Sequence, residues 1–488
     1  MSVKIVYQDV AVGAREDAEV TATPAQAGSN PAALPFGVDP SPIATLERNN
    51  WLLNGKRQLK RSQPMGFWSA QMSGINGTFA SPPQITVDFE KQYTSLGVFL
   101  WFDTSTGDYC SSLTIRWYQG TKLLDSAQFS PDGPEYFCER TVRAYDRVEI
   151  QLQETNLPYR YARLTKILFG IIRTFLRDEL RSVQVTEQVN LISAEAAVNV
   201  LDFVLDSKSD VAYMFQLHQP VYAYNSDTLI GVFYIDSASR TGEHLYDVSC
   251  KDAIGVLDGD TIPAAIYTNR PVKALLEEVL DGKFELDLDP ALIRETVTGY
   301  LPDCTRREAL HQIAFALRAI VDTSGTGRVR VFRLTDRAAV KIPMERIYTG
   351  GSVDTSSVVT AVSVTAHRYS LTGDGSDTIE VGGVTYYHTA AVTTLHNPDV
   401  TASDKKNVIE IKDATLVNPG NVLAIAQAAY DYYLRRSTQR VKFVVRNETP
   451  GTRVEMYAPW GDKLTGHITS MKITLSGIAA ADCEVIGG

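Results

Sequence analysis

The sequence predicts a mainly β protein with an α+β insert. In this prediction two barrel-like β domains flank a small α/β region, and a β-sandwich, or jelly roll, lies near the N-terminus. Short apolar runs separated by turn residues recur from about residue 43 to 170, as in sandwiches. Strict alternation at 181–189 indicates a further strand, and helical periodicity is clearest at 272–280 and 306–320. With 488 residues, the chain is long enough for three or four domains.

Composition excludes several classes of protein. Hydrophobic residues make up 44% and charged residues 21%, which argues against wholesale disorder or a fibrous repeat. The formal net charge of −10 argues against a general nucleic-acid clamp, because phosphate binding needs concentrated Lys and Arg. No apolar run of about 18 residues occurs, so no membrane span is expected. The polar Gln8 and Asp9 argue against a secretory signal peptide, and five scattered cysteines predict no disulfide or metal framework.

The first element is an arm or linker over residues 1–42. Residues 3–7 are strand-like, and the stretch 22–42 is rich in Ala, Pro, Gly and Ser. Such a segment either packs on a neighbouring subunit or remains a flexible tail, and the residues favour neither alternative.

The second element, over residues 43–171, is the sandwich. Strand-like runs separated by turn signals include 84–89, 95–102, 113–118 and 147–154. The sequence around residues 50–55, Gly66 to Ser69, 85–89 and 161–167 resembles discoidin-like, galactose-binding-like jelly rolls. Animal members commonly join their ends by a disulfide, whereas Cys110 and Cys138 fall in mid-domain, so a bacterial or phage version fits better.

Three further elements complete the chain. Strand patterns predict a first barrel-like domain at 172–258 and a second at 346–488, with an α/β domain at 259–345 between them. In that middle domain, Pro271 stands near the first turn of one helix, and Asp303 or Thr305 is the expected cap of the next.

The segments from about residue 172 to the end resemble the hub proteins of phage tails and baseplates. One group of matching segments lies at 229–236 and 246–258, and another runs from the helix 307–317 to the strand near 328–334. The final match consists of a helix at 428–436 followed by strand and turn segments at 441–445, 450–454, 460–461 and 468–477.

This resemblance implies a mechanical role and a set of partners. Hub subunits of this kind are homotrimers, and their paired barrels form a pseudo-sixfold ring that adapts a sixfold tail tube to a threefold spike. The expected partners are therefore copies of the chain itself, tail-tube or baseplate proteins above, and a spike or tail-tip protein below. The expected location is the tail of a virion or prophage particle, such as a contractile injection system, assembled in the cytoplasm of a bacterial host.

Motifs for chemistry are missing from the sequence. No G-x-S-x-G elbow, G-x-G-x-x-G loop or phosphate loop occurs, and no two histidines have the helical spacing of a metal site. His388 and His396 flank one predicted strand and are too far apart to share a metal. Glu285, Asp287 and Asp289 alternate as solvated acids on one face of a strand end. We therefore expect no catalytic, cofactor or metal residues.

One possible ligand site remains, in the sandwich. Sugar sites combine a stacking ring with polar neighbours that bond hydroxyl groups. Four residues offer this combination: Trp101, Asp103, Asp108 and Tyr109. The alternative is core packing, since Trp101 lies within a predicted strand.

Two other functions stay open at this point. The chain could be a receptor-binding adhesin at the tail periphery, which would bind cells in isolation. It could also be a hydrolase of cell-wall polysaccharide or peptidoglycan with the sandwich as carbohydrate-binding module, which would require a convergent acidic pocket. The hub segments favour the structural role over both.

Overall fold

The chain divides into two compact units. We call Tyr7–Arg173 the insert unit, and Met1–Val6 together with Thr174–Gly488 the main unit. Because residues on both sides of the insert unit belong to the main unit, the insert unit interrupts it. The computed structural model describes residues 3–11, 13–39, 43, 45, 47, 65–207, 215–334, 338–373, 377–401, 405–457, 460–461, 463–475 and 479–487. The predicted sandwich segment 50–55 lies outside these residues.

The insert unit consists mainly of strands. The chain enters this unit within the strand Val3–Val10 and leaves it within the strand Gly170–Leu176. Its helical elements are α1 (Ala14–Asp17) and a short 3-10 turn at Pro31–Ala33. The strands are β1 (Val3–Val10), β2 (Glu19–Thr23), β3 (Phe67–Trp68), β4 (Gln84–Phe102), β5 (Cys110–Gln119), β6 (Lys122–Phe129), β7 (Glu135–Thr155), β8 (Arg163–Leu168) and β9 (Gly170–Leu176).

A single bent sheet builds the sandwich. Its order is β3-β8-β4-β7-β5-β6, with β2 also paired to β4. Register shifts between Asp88 and Gly97 divide β4, so that its first half pairs with β2 and its second half with β8. Because such irregularities bend a strand, one sheet supplies both layers of the sandwich. The two strands predicted at 84–89 and 95–102 are the two halves of β4.

Residues 14–23 of the N-terminal segment belong to this sandwich, which differs from the arm or linker predicted over residues 1–42. Val20 is buried within β2, and β2 pairs antiparallel with the first half of β4. The Asp17 carboxylate accepts hydrogen bonds from the Tyr93 hydroxyl at 2.8 Å and from the backbone N–H of Lys91 at 3.0 Å. The Ala- and Pro-rich composition does not reveal these bonds, because the partners lie some 70 residues away in the chain.

The main unit contains the remaining elements. Its helices are α2 (Ala253–Val256), α3 (Val272–Leu280), α4 (Arg306–Ala316) and α5 (Val422–Tyr433). Its strands are β10 (Leu180–Gln188), β11 (Val200–Asp206), β12 (Pro220–Asn225), β13 (Thr228–Arg240), β14 (Leu245–Lys251), β15 (Thr261–Ile262), β16 (Ala265–Pro271), β17 (Leu286–Leu288), β18 (Thr296–Leu301), β19 (Cys304–Thr305), β20 (Ile320–Asp322), β21 (Val329–Phe332), β22 (Val340–Lys341), β23 (Ser352–Thr355), β24 (Ala361–Ser370), β25 (Thr378–Val381), β26 (Val384–His396), β27 (Val408–Ile411), β28 (Ser437–Val444), β29 (Arg453–Tyr457), β30 (Lys463–Thr474) and β31 (Ala480–Gly487).

One long sheet joins the two stretches predicted as barrel-like domains. Its order is β23-β28-β31-β30-β10-β11-β14-β13-β12-β1-β9, with β29 added on β30 and β22 on β29. The junction is the antiparallel pair of β10 and β30, in which Val185 stands opposite Ile473. The mainly β class with a helical insert is confirmed. The strands of 172–258 and the last strands of the chain, however, are continuous through this pair rather than separate.

The α/β region contains the predicted helices. α3 has the predicted bounds, and α4 begins at Arg306 with a capping box in which Thr305 and Glu308 exchange side chain to backbone bonds. Thr305 is therefore the cap, while Asp303 accepts from the backbone N–H of Ala264 at 2.8 Å. α4 ends at Ala316, short of the predicted residue 320, because Arg318 has a φ of 56°. No helix among the described residues is long and apolar enough to span a membrane.

A four-stranded sheet with α5 on one face precedes the final strands. The sheet has the order β25-β26-β24-β27, and Val362 and Val364 of β24 pack with Ile425 and Ala429 of α5. α5 begins before the predicted helical segment 428–436 and ends within it. The predicted turn at 382–383 connects β25 to β26, whereas the one at 373–376 lies outside the described residues except for its first residue.

Candidate functional site

The sequence predicts a glycan site in the sandwich made of four residues: Trp101, Asp103, Asp108 and Tyr109. Trp101 lies near the end of β4, on the face opposite the buried Leu100 and Phe102. It is half-buried, and its ring stacks on that of Phe99 with 4.1 Å between centroids. Trp101 therefore belongs to the face of the sheet that turns away from the core.

The other three predicted residues point elsewhere. Asp103 and Asp108 are buried, and Asp103 Oδ1 accepts from the backbone N–H of Ser105 at 2.8 Å. Asp108 forms an ion pair with the buried Arg160 at 3.5 Å. Tyr109 is half-buried and packs against the apolar core. The structure thus does not gather the four side chains on one surface.

Trp101 belongs to a group of three stacked aromatic rings. We call these rings, Phe99, Trp101 and Phe137, the aromatic platform. Phe137 lies on β7 and stacks on Phe99 at 6.1 Å between centroids. Lys166 Nζ lies 5.1 Å from the centroid of Trp101, and burial lowers the pKa of Lys166. Gly97 makes the platform possible, since a Cβ there would come within 2.9 Å of the Phe137 ring. Half-buried rings beside a cation can stack on a sugar ring.

Sequence reasoning finds Trp101 but misses the rest of the platform. Phe99 could have been found, because residues two apart in a strand share a face. Phe137 and Lys166 come from β7 and β8, and only the pairing register places them beside β4.

A buried cation supports the end of the insert unit near Trp101. Arg163 is 4% exposed and pairs with Glu47, which is fully buried. The guanidinium also lies 4.2 Å from the centroid of Trp68, and it donates to Thr106 Oγ1 at 3.2 Å. Burial lowers the pKa of Arg163 to about 10. Since both charges are enclosed, this pair fixes the loop after β4 and is not available to a ligand.

The main unit contains a second set of buried charges, which we call the acid network: Glu187, Asp252 and Asp322. Each of the three is at most 2% exposed. Burial, followed by the charge of Asp322, raises the pKa of Glu187 to about 8. Burial likewise raises the pKa of Asp252 to about 6, against hydrogen bonds that favour its charged form. Arg330 pairs with Asp322 from the surface side.

Hydrogen bonds connect this network across several elements. Thr323 Oγ1 donates to Asp252 Oδ2 at 2.6 Å, and Asn199 Nδ2 donates to Thr323 Oγ1 at 3.0 Å. Ser324 bonds the carboxyl group of Glu187. The network therefore joins β10 and the start of α2 to the segment after β20. These bonds connect the long sheet to the α/β region.

Two histidines of the four-stranded sheet form a hydrogen-bonded chain. His367 Nδ1 lies 2.9 Å from His388 Nε2, and His367 Nε2 lies 2.8 Å from the carbonyl oxygen of Lys412. His388 Nδ1 lies 2.5 Å from Asp377 Oδ2. The pair that the sequence considered, His388 with the exposed His396, lies at separate positions on β26.

A cleft of about 520 Å³ lies between the α/β region and the turn before β29. Two of its arginines are already engaged, because Arg330 pairs with Asp322, and Arg333 pairs with Glu295 at 2.9 Å. Its lining consists of Asp287, Asp289, Pro290, Arg330, Phe332, Arg333, Leu334, Ala338, Val340, Thr449, Pro450, Gly451, Thr452 and Arg453. Within the described ranges, no group of three or more His, Cys, Asp or Glu residues could hold a metal ion.

Comparison with known proteins gives structural matches only. No family model and no curated protein matches the sequence. The 43 kDa tail protein of prophage MuSo2 from Shewanella oneidensis is 10% identical and covers 64% of this chain and 96% of its own, with a TM-score of 0.45. A tail protein from Neisseria meningitidis is 12% identical, covers 64% of this chain and 93% of its own, and has a TM-score of 0.47. Discoidin II from Dictyostelium discoideum is 8% identical and covers 50% of this chain and 90% of its own, with a TM-score of 0.20.

Proposed function

We propose that this chain is a non-enzymatic structural subunit of the tail or baseplate of a phage, prophage or related injection particle. In this proposal it forms the hub, as a trimeric adaptor between a sixfold tail tube and a threefold spike. The observation that supports the proposal is that the segments carrying the hub resemblance fold together in the main unit. Residues 229–236 lie in β13, 246–258 span β14 and α2, and 307–317 lie in α4 and its C-cap Leu317.

The arrangement of the long sheet agrees with a threefold ring of this kind. Each chain contributes two groups of strands, one formed by β10 to β14 and one by β28 to β31, and these meet at the pair of β10 and β30. Three chains related by a threefold axis would present six such groups in a ring. Such a ring would face a sixfold partner on one side and a threefold partner on the other.

The first experiment is the mass of the purified full-length chain, measured by light scattering coupled to size exclusion over a wide range of concentration. The expected result is a particle of three chains of 53.8 kDa each. A stable monomer or dimer throughout that range would contradict the trimeric adaptor. Labelling the chain in isolated particles then tests its place, since the proposal requires label at the junction of tube and spike and is contradicted by label on distal fibres.

A second function, glycan binding, is favoured by the aromatic platform. We propose that the insert unit stacks a sugar ring on Trp101, with Phe99 and Phe137 beside it. The test is binding of the full-length chain to an array of bacterial surface glycans. Wild-type protein should bind, Trp101→Ala should lose binding, and Leu123→Ala, which changes an exposed side chain on β6, should retain it. Equal binding by both variants, or none by the wild type, would exclude the platform as a glycan site.

A further inference from the structure

Four groups in the four-stranded sheet lie in one hydrogen-bonded line. The line runs from the carbonyl oxygen of Lys412 through His367 and His388 to the carboxylate of Asp377. His367 is 8% exposed, whereas the side chain of Asp377 is 66% exposed. The line therefore starts inside the sheet and ends at its solvent-facing edge.

Counting donors and acceptors fixes the number of protons in the line. The Lys412 carbonyl can only accept, so His367 Nε2 must carry a hydrogen. An ionised Asp377 can only accept, so His388 Nδ1 must carry one too. The remaining bond, between His367 Nδ1 and His388 Nε2, needs a third hydrogen on one of its two nitrogens. Two neutral imidazoles supply only two hydrogens in total, so the pair holds one additional proton.

The surroundings disfavour that proton on His367. Burial lowers the pKa of His367, and the neighbouring His388 lowers it further, so His367 is the neutral member. The Asp377 carboxylate faces His388 directly. Tyr369 stacks on His388 at 5.0 Å, and burial raises the pKa of Tyr369, so this neighbour stays uncharged. The other titratable groups near the line are Tyr300, which contacts Tyr369, and Asp413 and the Lys412 ammonium, which pairs with Glu410.

We propose that His367, His388 and Asp377 form a proton-bound link that holds the β25 edge of the four-stranded sheet only within a window of pH. This inference is independent of the hub assignment. The link joins three segments: the start of β25 at Asp377, the strand pair of β24 and β26, and the segment before α5 at Lys412. Removing the proton leaves a nitrogen lone pair facing an acceptor, and adding a second proton places two imidazolium ions side by side.

The link is lost at high pH because a proton leaves, and it is lost at low pH because a second proton is added. At the alkaline limit, the pair loses its additional proton, and the hydrogen bond between His367 Nδ1 and His388 Nε2 is lost. At the acid limit, His367 becomes charged, which its buried position and the neighbouring imidazolium oppose. Burial and the neighbouring ring lower the pKa of His367, so the acid limit lies below pH 6.5, where a free histidine titrates.

The test measures amide exchange at the link in the full-length chain. The reporter is the backbone N–H of His388, which donates to the Asp377 carbonyl oxygen at 2.9 Å. Its protection factor, corrected for the intrinsic pH dependence of exchange, should be highest near neutral pH. It should fall about tenfold on both sides, as expected for loss of one charge-assisted hydrogen bond. A flat profile would overturn the proposal.

Variants separate the link from general effects of charge. Asp377→Asn keeps an acceptor but removes the charge that holds the proton, so the alkaline limit should move to lower pH. His388→Gln should abolish the window. His396→Gln, at the other end of β26, should leave the profile unchanged. The ring nitrogens of His388 should both carry hydrogen at pH 7 in nitrogen NMR spectra of the histidine-labelled chain. A neutral ring there, or an unaltered profile in Asp377→Asn, would contradict the link.

Discussion

Arg346 and Glu448 form a buried ion pair in the main unit. One terminal nitrogen of Arg346 lies 2.8 Å from each carboxylate oxygen of Glu448, and both residues are less than a tenth exposed. The same guanidinium donates to the backbone carbonyl of Val444 at 2.6 and 2.9 Å. The pair therefore ties the short 3-10 turn Met344–Arg346 to the end of β28.

Removing one partner of this pair should destabilise the main unit strongly. Glu448→Ala leaves a buried guanidinium without its counter-ion, and we expect a loss of about 3 to 5 kcal/mol in the free energy of unfolding. Asp354→Ala is the matched control, because Asp354 pairs with Arg440 on the surface, and it should cost less than about 1 kcal/mol. Urea unfolding followed by circular dichroism measures both, and equal losses would contradict the assignment.

The acid network should make the main unit less stable as pH rises. Unfolded carboxyl groups titrate near pH 4, whereas Asp252 and Glu187 have pKa values of about 6 and 8 in the folded chain. The folded state therefore binds protons that the unfolded state releases. The contribution to stability is complete below about pH 4 and is lost as pH rises through 6 and 8.

Glu187→Gln tests this dependence, because glutamine remains neutral and can still bond Ser324. We expect the variant to be more stable than the wild type at pH 9 and to show a flatter profile between about pH 6 and pH 9. Glu380→Gln, on the exposed side of β25, should keep the wild-type profile. The measurement is the urea midpoint of unfolding across this pH range. Parallel profiles for wild type and Glu187→Gln would refute the contribution of Glu187 to the pH dependence.

Gly97→Ala should destabilise the insert unit. Gly97 has a φ of 155°, and a Cβ there would lie 2.2 Å from the carbonyl oxygen of Cys138. We expect a cost of roughly 2 to 6 kcal/mol from the strained backbone and the overlap. Gly107→Ala also has a positive φ but meets no atom within 4 Å, so it should cost about 1 kcal/mol. Tryptophan fluorescence reports this transition, since three of the four described tryptophans, Trp68, Trp101 and Trp117, lie in the insert unit.

Thr305→Ala should weaken the start of α4. It removes the hydroxyl that accepts from the backbone N–H of Glu308 at 3.1 Å, and the expected cost is about 1 kcal/mol. Thr305→Ser keeps the hydroxyl and should stay close to wild type. Thermal unfolding of the two variants compares them directly. Similar losses in both would indicate that the methyl group, and not the cap, stabilises this position.

Local signals in the sequence were sufficient for the helices of the α/β region. The apolar stripe of 272–280 and the Thr-x-x-Glu box at Thr305 involve residues within one or two turns of each other. The starts of these helices could therefore be predicted without knowing the rest of the fold, although Asp303 remained an alternative to Thr305 as the cap. The alternating pattern of β4 was also visible, although its continuation through the bend was not, because a bulge leaves no clear trace in composition.

Contacts between distant segments could not be predicted in this way. His367 and His388 meet because β24 and β26 pair in a register that places Tyr369 opposite His388. Glu187, Asp252 and Asp322 come from separate elements that meet only when the long sheet packs on the α/β region. In the predicted glycan site, Asp103 is close to Trp101 in the sequence, but it follows the end of β4 and its carboxylate accepts from the backbone N–H of Ser105 in the loop.

The path of the chain into and out of the insert unit determines how the sandwich relates to the long sheet. The chain leaves the main unit in β1 and returns in β9, and these strands are neighbours in the long sheet. Neighbouring strands lie about 5 Å apart, so the departure and return points nearly coincide. In the strand order of the long sheet, the sandwich therefore takes the place of a loop between two neighbouring strands. A change in the size of the sandwich would therefore leave the strand order of the long sheet unaltered.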